Sequence, residues 1–371
     1  MPCEPRLRTN AGLAQEGGRA SPAEPAAERS SLDHFLDPVM HLLGESEVTE
    51  VCINQPGEAW IERYSGWTRQ RMPFATFEWC MQLARLVANH TKQRISAQEP
   101  LLSATLPTGA RIQIVVPPAT EQGKVSITIR RPSSTLWTLD ELAEKGTFEG
   151  VGALPRKPAV PGIAEADLHD GERELLGLLR GRHIVTFLRR AVHLRRNILL
   201  SGATGSGKTT ISKALILEVP ADERILSIED TPELSFVNQP NHVRMFYSQG
   251  GQGTATVTSG DLLVSMKRQR PDRVFVSEVR SGEEAYYYLV SIASGHPGSI
   301  TSAHADSAEG AFIALANLMK RSTGGIGMST REGVELAQLN IDVVVQCSRR
   351  QQRRTVSEIW YDPSAKRRGL A

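Results

Sequence analysis

The octet Gly202-Ala203-Thr204-Gly205-Ser206-Gly207-Lys208-Thr209 fits the pattern G-x-x-x-x-G-K-[ST], and no other feature restricts the fold as much. Its glycines let backbone N–H groups turn inward around phosphate oxygens with no Cβ in the way. Lys208 supplies a point charge for the β- and γ-phosphates, and Thr209 a hydroxyl for Mg²⁺. The apolar run NILL before the octet reads as a strand. TTISKALILEV after it reads as a helix whose positive dipole end faces the anion. Residues Gly202 to Thr209, with Thr210 of the first helical turn, are expected to bind a nucleotide. The expected ligands are ATP and Mg²⁺.

Such a loop belongs to a sheet. From Arg173 onward the short apolar runs NILLSG, RILSIED and RVFVSEV alternate with helical sequence, and IDVVVQCS and TVSEIWY close the chain. That alternation predicts an α/β fold with a largely parallel sheet, whose ligands bind at the carboxyl ends of the strands. RILSIED ends in Glu229 and Asp230, and RVFVSEV places Glu278 at a strand end. Phosphoryl transfer to water needs a group that orients the water and a charge that holds the metal. Glu278 is the first choice for water activation, with Glu229 next to it. Ser277 stands where a Walker-type metal strand has Asp, so the identity of the metal-holding carboxylate stays open; Thr209 and Glu278 are the candidates. Arg280, two residues beyond Glu278, is expected at the same site.

The first part of the chain has a different pattern. Residues 1–30 are rich in Ala, Gly, Pro, Glu and Arg and are expected to form a disordered tail. Residues 31–146 read as a small α+β domain with an antiparallel sheet. Leu32, Phe35, Leu36, Val39, Met40 and Leu43 recur at helical spacing, and VTEVCIN and AWIERY flank the turn NQPGE. FATFEWCMQLARLVANH is a second amphipathic helix, followed by the strand-like runs SATL, RIQIVV and VSITIR. Residues 147–172, with repeated Pro and Gly, are expected to be a linker, and 173–371 the nucleotide-binding domain. Lys and Arg number 43 against 41 Asp and Glu, too balanced to argue for nucleic acid by bulk charge, and no sequence-specific nucleic-acid binding is expected. Cys3, Cys52, Cys80 and Cys347 share no metal-ligand spacing, which fits a reduced, cytoplasmic setting. No apolar run approaches the roughly 18 residues needed to span a bilayer, and the N-terminus lacks the apolar core of a signal peptide.

Taken in order, GATGSGKTT, SIEDTPEL, RPDRVFVSEVRSGEEAYYYL and SGHPGSITSAHADS resemble the Walker A, Asp box, Walker B and His box of the secretion and traffic ATPase superfamily. Within it, HPGSITSAHADS and TEVCINQPGEAWIER are most similar to the VirB-type conjugation branch. The resemblance covers residues from about 32 to 360, nearly all of the chain expected to be ordered. It implies a RecA-like P-loop ATPase domain behind the smaller α+β domain. It also implies a homo-hexameric ring, nucleotide between the two domains of each subunit, and hydrolysis of ATP with Mg²⁺. Glu229 and Glu278 would be the Asp-box and Walker B acids, and His304 the His-box residue that communicates the γ-phosphate state. Arg111 in GARIQIVV and Arg130 in SITIRRPS would reach the phosphates from the first domain, with Arg131 leaving a one-residue ambiguity. On the residues alone these arginines fit a solvated sheet edge equally well. An arginine from a second domain completes charge neutralisation only on domain closure, which couples chemistry to motion.

The partners so implied are the inner-membrane components of a type IV secretion apparatus, with the protein cytoplasmic and peripheral at that membrane. A type IV pilus or type II secretion motor is the alternative on the same fold, although the four-cysteine metal module of many such motors is missing here. A slowly hydrolysing, nucleotide-gated scaffold is a further one. Arg349, Arg350, Arg353, Arg354, Lys366, Arg367 and Arg368 read either as solvated turns or as contacts to anionic lipid. His296, in the turn before His304, reads as structural.

Overall fold

The computed structural model describes residues 30–63, 65–131, 135–154, 167–247, 257–350 and 353–367. The expected tail through residue 29, Cys3, residues 155–166 of the expected linker, and Arg368 lie outside them, as do the side chains of Arg350 and Arg367.

The first body comprises α1 (Ser31–Gly44), β1 (Val48–Gln55), β2 (Glu58–Arg63), β3 (Gly66–Arg71), α2 (Phe77–Thr91), β4 (Leu101–Thr105), β5 (Arg111–Val115) and β6 (Ser126–Arg130). Helix α1 begins at a capping box in which the Ser30 hydroxyl accepts from the Asp33 N–H at 3.2 Å, a device worth about 1 kcal/mol. The strands form one antiparallel sheet in the order β3-β2-β1-β6-β5-β4. Strand β3 escapes a sequence reading because GWTRQR is an exposed edge and has no buried face to make an apolar alternation.

Leu36 and Val39 of α1 and Leu83 and Val87 of α2 bury one sheet face against Val51, Ile53, Ile61, Ile112, Ile127 and Ile129. Side chains alternate along a strand, so the residues between these take the opposite face. That helix-free face carries Arg111 directly opposite Arg130, and Arg130 opposite Glu50.

The second body is an α/β/α sandwich. Its elements are α3 (Leu139–Glu144), β7 (Gly152–Leu154), α4 (Asp170–Arg180), α5 (Ile184–His193), β8 (Ile198–Ser201), α6 (Lys208–Leu217), β9 (Ile225–Glu229), β10 (His242–Phe246) and α7 (Ser259–Met266). It continues with β11 (Arg273–Val276), α8 (Gly282–Ala293), β12 (Ile300–Ala303), α9 (Ala308–Met319), α10 (Thr330–Asn340), β13 (Val343–Arg350) and β14 (Arg353–Tyr361). Strands β10-β9-β11 form one parallel ladder, and β12-β8-β13-β14-β7 a second in which only β13–β14 is antiparallel. Between the ladders, the Val279 N–H donates to the Ser302 carbonyl at 2.7 Å and the Ser302 hydroxyl to the Ser277 carbonyl at 2.8 Å. The expected α/β class, largely parallel and RecA-like, is the observed one.

Period-two alternation divides the sandwich into two cores. Ile198, Leu200, Ile225, Phe275, Val343 and Val345 face α4, α5 and α6. Leu199, Leu226, Ile228, Val274, Val276 and Val344 face α7 to α10. The expected boundary moves as a result. Leu139, Leu142 and Val151 are buried in the first of these cores, and β7 pairs with β14. Residues 139–154 thus pack with the second body, whereas the sequence pattern put 31–146 in the first domain and 147–172 in a linker. Helix α4 also begins inside that expected linker. The repeated Pro and Gly concealed the three-residue strand β7. Among the described residues no helix is long and apolar enough to cross a membrane.

The turn before β12 is locked from beneath. Arg273, fully buried, ion-pairs with Glu223 and donates to the carbonyls of Val192 at 3.0 Å and Gly298 at 3.3 Å. The Asn197 amide oxygen accepts from the N–H groups of Gly298 and Ser299, at 2.9 and 3.0 Å. Gly298 has φ +84°, and a Cβ there would lie 2.8 Å from Arg273 Nη1. Gly298→Ala should therefore cost about 1–3 kcal/mol, from left-handed strain plus displacement of a buried guanidinium. Urea unfolding at neutral pH measures this; an unchanged midpoint would show that the turn is not a constraint.

Candidate active site

Strand β8 delivers the phosphate loop and α6 leaves it. Gly202, at φ +148°, is pressed onto β13 so closely that a Cβ would meet the Cys347 carbonyl at 2.4 Å. Gly207, at φ +99°, forms the N-terminus of α6, and no side chain caps it. Helices α7 to α10 are all capped by Ser or Thr side chains. The first N–H groups of α6 are thus left for a ligand, beside loop glycines that admit one closely.

Three neighbouring strands bring their ends to this loop. Lys208 Nζ donates to the carbonyls of Gly202 and Ala203 at 2.7 and 3.3 Å, and lies 3.5 Å from Glu278 Oε1. His304, just past β12, sets Nε2 2.7 Å from Glu278 Oε1. Its Nδ1 lies 3.2 Å from both Lys208 Nζ and the Gly202 carbonyl. Whether Nδ1 accepts from Lys208 or donates to the Gly202 carbonyl is set by the ring's tautomer, and either contact ties His304 to the phosphate loop. Arg280 Nε donates to Glu278 Oε2 at 2.8 Å, and its Nη1 pairs with Asp230. His296 lies apart, its Nδ1 3.2 Å from the Ser291 carbonyl within its own turn.

From the first body Arg111 pairs with Glu233 and lies 3.7 Å from Asp230. Thr209 donates to Glu233 at 3.3 Å. The pairs form a circuit: Lys208, Glu278, Arg280, Asp230, Arg111, Glu233, and back to Thr209 on the same helix. Burial alone would raise the Glu278 carboxyl. The charges of Arg280, Lys208 and His304 outweigh it and hold Glu278 below its ordinary value. Burial pushes Glu233 up, against the pull of Arg111. Burial also pulls the Lys208 ammonium down, against Glu278.

Glu229 is not beside Glu278 in the cleft, as the strand-end pattern suggested. It is fully buried and accepts five hydrogen bonds: from Ser227, from the N–H groups of Glu233 and Leu234, and two from Arg244. The residue that reaches the loop is Glu233, which the sequence reading did not select. The signal was present in EDTPEL, where the acid four residues on returns to the site once Glu229 has turned inward.

These groups line a cleft of about 460 Å³ between the two bodies, within the range of small-ligand sites. Arg130, Arg131, Ser46 and Thr49 form its first-body wall, and Arg354 of β14 and Lys213 of α6 join the phosphate loop on the other. Seven Lys and Arg against two Glu line it, which suits a polyanion. Ser206 Oγ is buried there without a hydrogen-bond partner. Among the described residues no three His, Cys, Asp or Glu are placed to cage a metal. The oxygen donors Thr209 and Glu233 suit Mg²⁺, a hard cation that takes one or two protein oxygens plus phosphates.

Residues 178–366 match the family described as type II/IV secretion system protein. The type IV secretion system protein VirB11 of Bartonella quintana is 44% identical over 335 residues, covering 90% of this chain and 93% of its own. A crystal structure of the VirB11 ATPase from the Brucella suis type IV secretion system, in complex with sulphate, is 41% identical. That match has TM-score 0.50 and covers 91% of this chain and 100% of the other. The Legionella pneumophila ATPase DotB shares the fold at 16% identity, with TM-score 0.54 over 90% of this chain and 81% of its own.

The Glu278 charge makes a pH-dependent contribution. Its folded-state value is depressed below 4.5, so the contribution is complete above pH 4.5 and is lost as pH falls through the folded value. Glu278→Gln should unfold more easily than the wild type at pH 7, by roughly 1–3 kcal/mol. The gap should shrink as pH drops below 4.5. A gap in urea midpoints that is independent of pH would contradict this.

Proposed function

The chain belongs to the type II/IV secretion system protein family, and from that membership we propose that it is a motor that hydrolyses ATP to power a type IV secretion system. One observation carries the reading. Lys208, Glu278, Arg280 and His304 converge at the ends of adjacent strands, while Arg111 arrives from the other body on Glu233.

Lys208 and the loop N–H groups take the phosphates. Glu278, kept ionised by Arg280 and Lys208 with His304 beside it, orients the attacking water as a general base. Thr209 and Glu233 would hold Mg²⁺, which would supply charge neutralisation at the phosphates when bound. His304 couples the γ-phosphate to the loop through Lys208 and Glu278. Arg111 and Arg130 move onto the phosphates, drawing the first body over the cleft. Glu229 acts by positioning the segment that bears Glu233. The chain works as a homo-hexamer at the cytoplasmic face of the inner membrane, held there by other components of the secretion apparatus. The family membership and the two-walled cleft support this assembly. Arg349 and Arg354 face the cleft side, and Lys366 pairs with Asp342 at 2.6 Å, so lipid contact through these three residues is not part of the reading.

Phosphate release from the purified chain with ATP and Mg²⁺ tests the enzyme. Lys208→Ala should reduce it on the order of 100-fold or more. Wild-type release without Mg²⁺, or unaffected by Lys208→Ala, would defeat the reading. Glu233→Gln should lower turnover with unfolding little changed, whereas Glu229→Gln should lower the unfolding free energy by roughly 2 kcal/mol. The opposite assignment would return Glu229 to catalysis. Electron microscopy with and without ATP tests the ring: a monomer in both conditions would exclude it.

A further inference from the structure

Two of the cleft arginines differ from the rest. Arg111, Arg131 and Arg280 each have a recorded partner: Glu233, the Glu45 carbonyl at 2.9 Å, and Glu278. Arg130 and Arg354 line the same cleft, yet neither makes a hydrogen bond or ion pair among the described residues. They stand on opposite walls, Arg130 on β6 and Arg354 on β14. The resemblance to a known family accounts for Arg130; nothing accounts for Arg354.

The backbone places Arg354 deliberately. It is paired in register with Arg349 across the β13–β14 hairpin. Arg349 Nη1 meets Glu62 of the first body at 3.3 Å and lies 3.6 Å from where a Gly205 Cβ would be. The Arg354 stem crosses Gly207, with its Cβ and Cδ each 3.4 Å from the position of a Cβ there. The hairpin is therefore laid over the phosphate loop and tied to the opposite wall. Arg354 hangs at the cleft mouth above the uncapped start of α6. A cation held there without an acid partner gives up no existing pair when an anion enters, unlike Arg111 or Lys208.

We propose that Arg354 is a nucleotide-binding residue that takes the α/β-phosphate end of the ligand, opposite Arg130. Among the described residues it makes no hydrogen bond or ion pair with the Glu278 circuit, so it serves ATP and ADP alike and senses no γ-phosphate. The proposal rests on the nucleotide reading above.

The test is equilibrium binding of a fluorescent ADP analogue and of ATP to the full chain, together with steady-state hydrolysis and thermal unfolding. Arg354→Ala should raise Kd for both nucleotides by roughly tenfold, the scale of one charge-assisted hydrogen bond, with the loss falling on KM more than on kcat. Arg354→Lys, which keeps charge but not the planar fork, should recover part of the affinity. Arg130→Ala and Arg354→Ala combined should lose less than the sum of the two, because they share one anion. Three results would overturn the proposal: unchanged Kd, weakening confined to ATP, or weakening matched by an equal loss of unfolding temperature in both Ala and Lys variants. Wild-type protein that binds neither nucleotide would defeat the nucleotide reading and this proposal together. Wild-type binding with an indifferent Arg354→Ala would defeat the proposal alone.

Discussion

The ion pairs around Glu278 organise the site. A carboxylate that leaves water stays charged only if cations replace the lost solvation. Here the cations are Lys208 from the phosphate loop and Arg280 from the segment after β11, and His304 from the end of β12 closes on the same carboxylate. Each must sit within hydrogen-bonding reach of one side chain, so the three strand ends are fixed relative to one another. The locked turn at Gly298 and the close seat of Gly202 on β13 serve the same end, since both restrict where His304 and Lys208 can be. The catalytic arrangement thus depends on a charge balance first, with backbone geometry supporting it.

The same balance reaches the other body. Arg280 shares Asp230 with Arg111, and Arg111 pairs with Glu233, which accepts from Thr209. On the proposed function an entering polyanion would compete for Lys208 and Arg111 and release Glu278 and Glu233 from them. Ligand occupancy and the position of the first body would then be linked through this exchange, because a ligand shifts an equilibrium only by its differential interaction with the two arrangements. Arg111 faces Arg130 across neighbouring strands. Like charges at directly opposed sheet positions destabilise. Such a pair gains its place from the anion between the walls and from acids on the far one.

Much of this was legible in the chain. The phosphate loop has only one backbone solution, so its octet named the strand, the turn and the helix. Strand alternation in the second body followed from unbroken apolar runs, and the antiparallel first body from alternating ones. Legibility failed where burial comes from tertiary packing. Residues 139–154 hold their apolar side chains in no sustained helical or strand period, yet Leu139, Leu142 and Val151 fill a gap against α5 and β14 that no local pattern announces. Edge strands β3 and β10 have too little buried face to alternate.

Glu229 shows why a strand-end acid is ambiguous. Ile225, Ser227 and Glu229 share one face of β9, and Ile225 lies in the core beneath α6. Parity therefore turns Glu229 toward that core rather than into the cleft. Arg244 on β10, in register only two residues earlier than the partner of Glu229, reaches back to pair with it at 2.8 Å. Nothing in ILSIED reports that arginine. Once Glu229 accepts the N–H groups of Glu233 and Leu234, the chain between must loop outward, and the acid that returns to Thr209 is Glu233. The fully buried acid sets the path and the half-buried one reaches Thr209 beside the phosphate loop, a division of labour that spacing along the chain permits but only the packing of β9 against β10 decides.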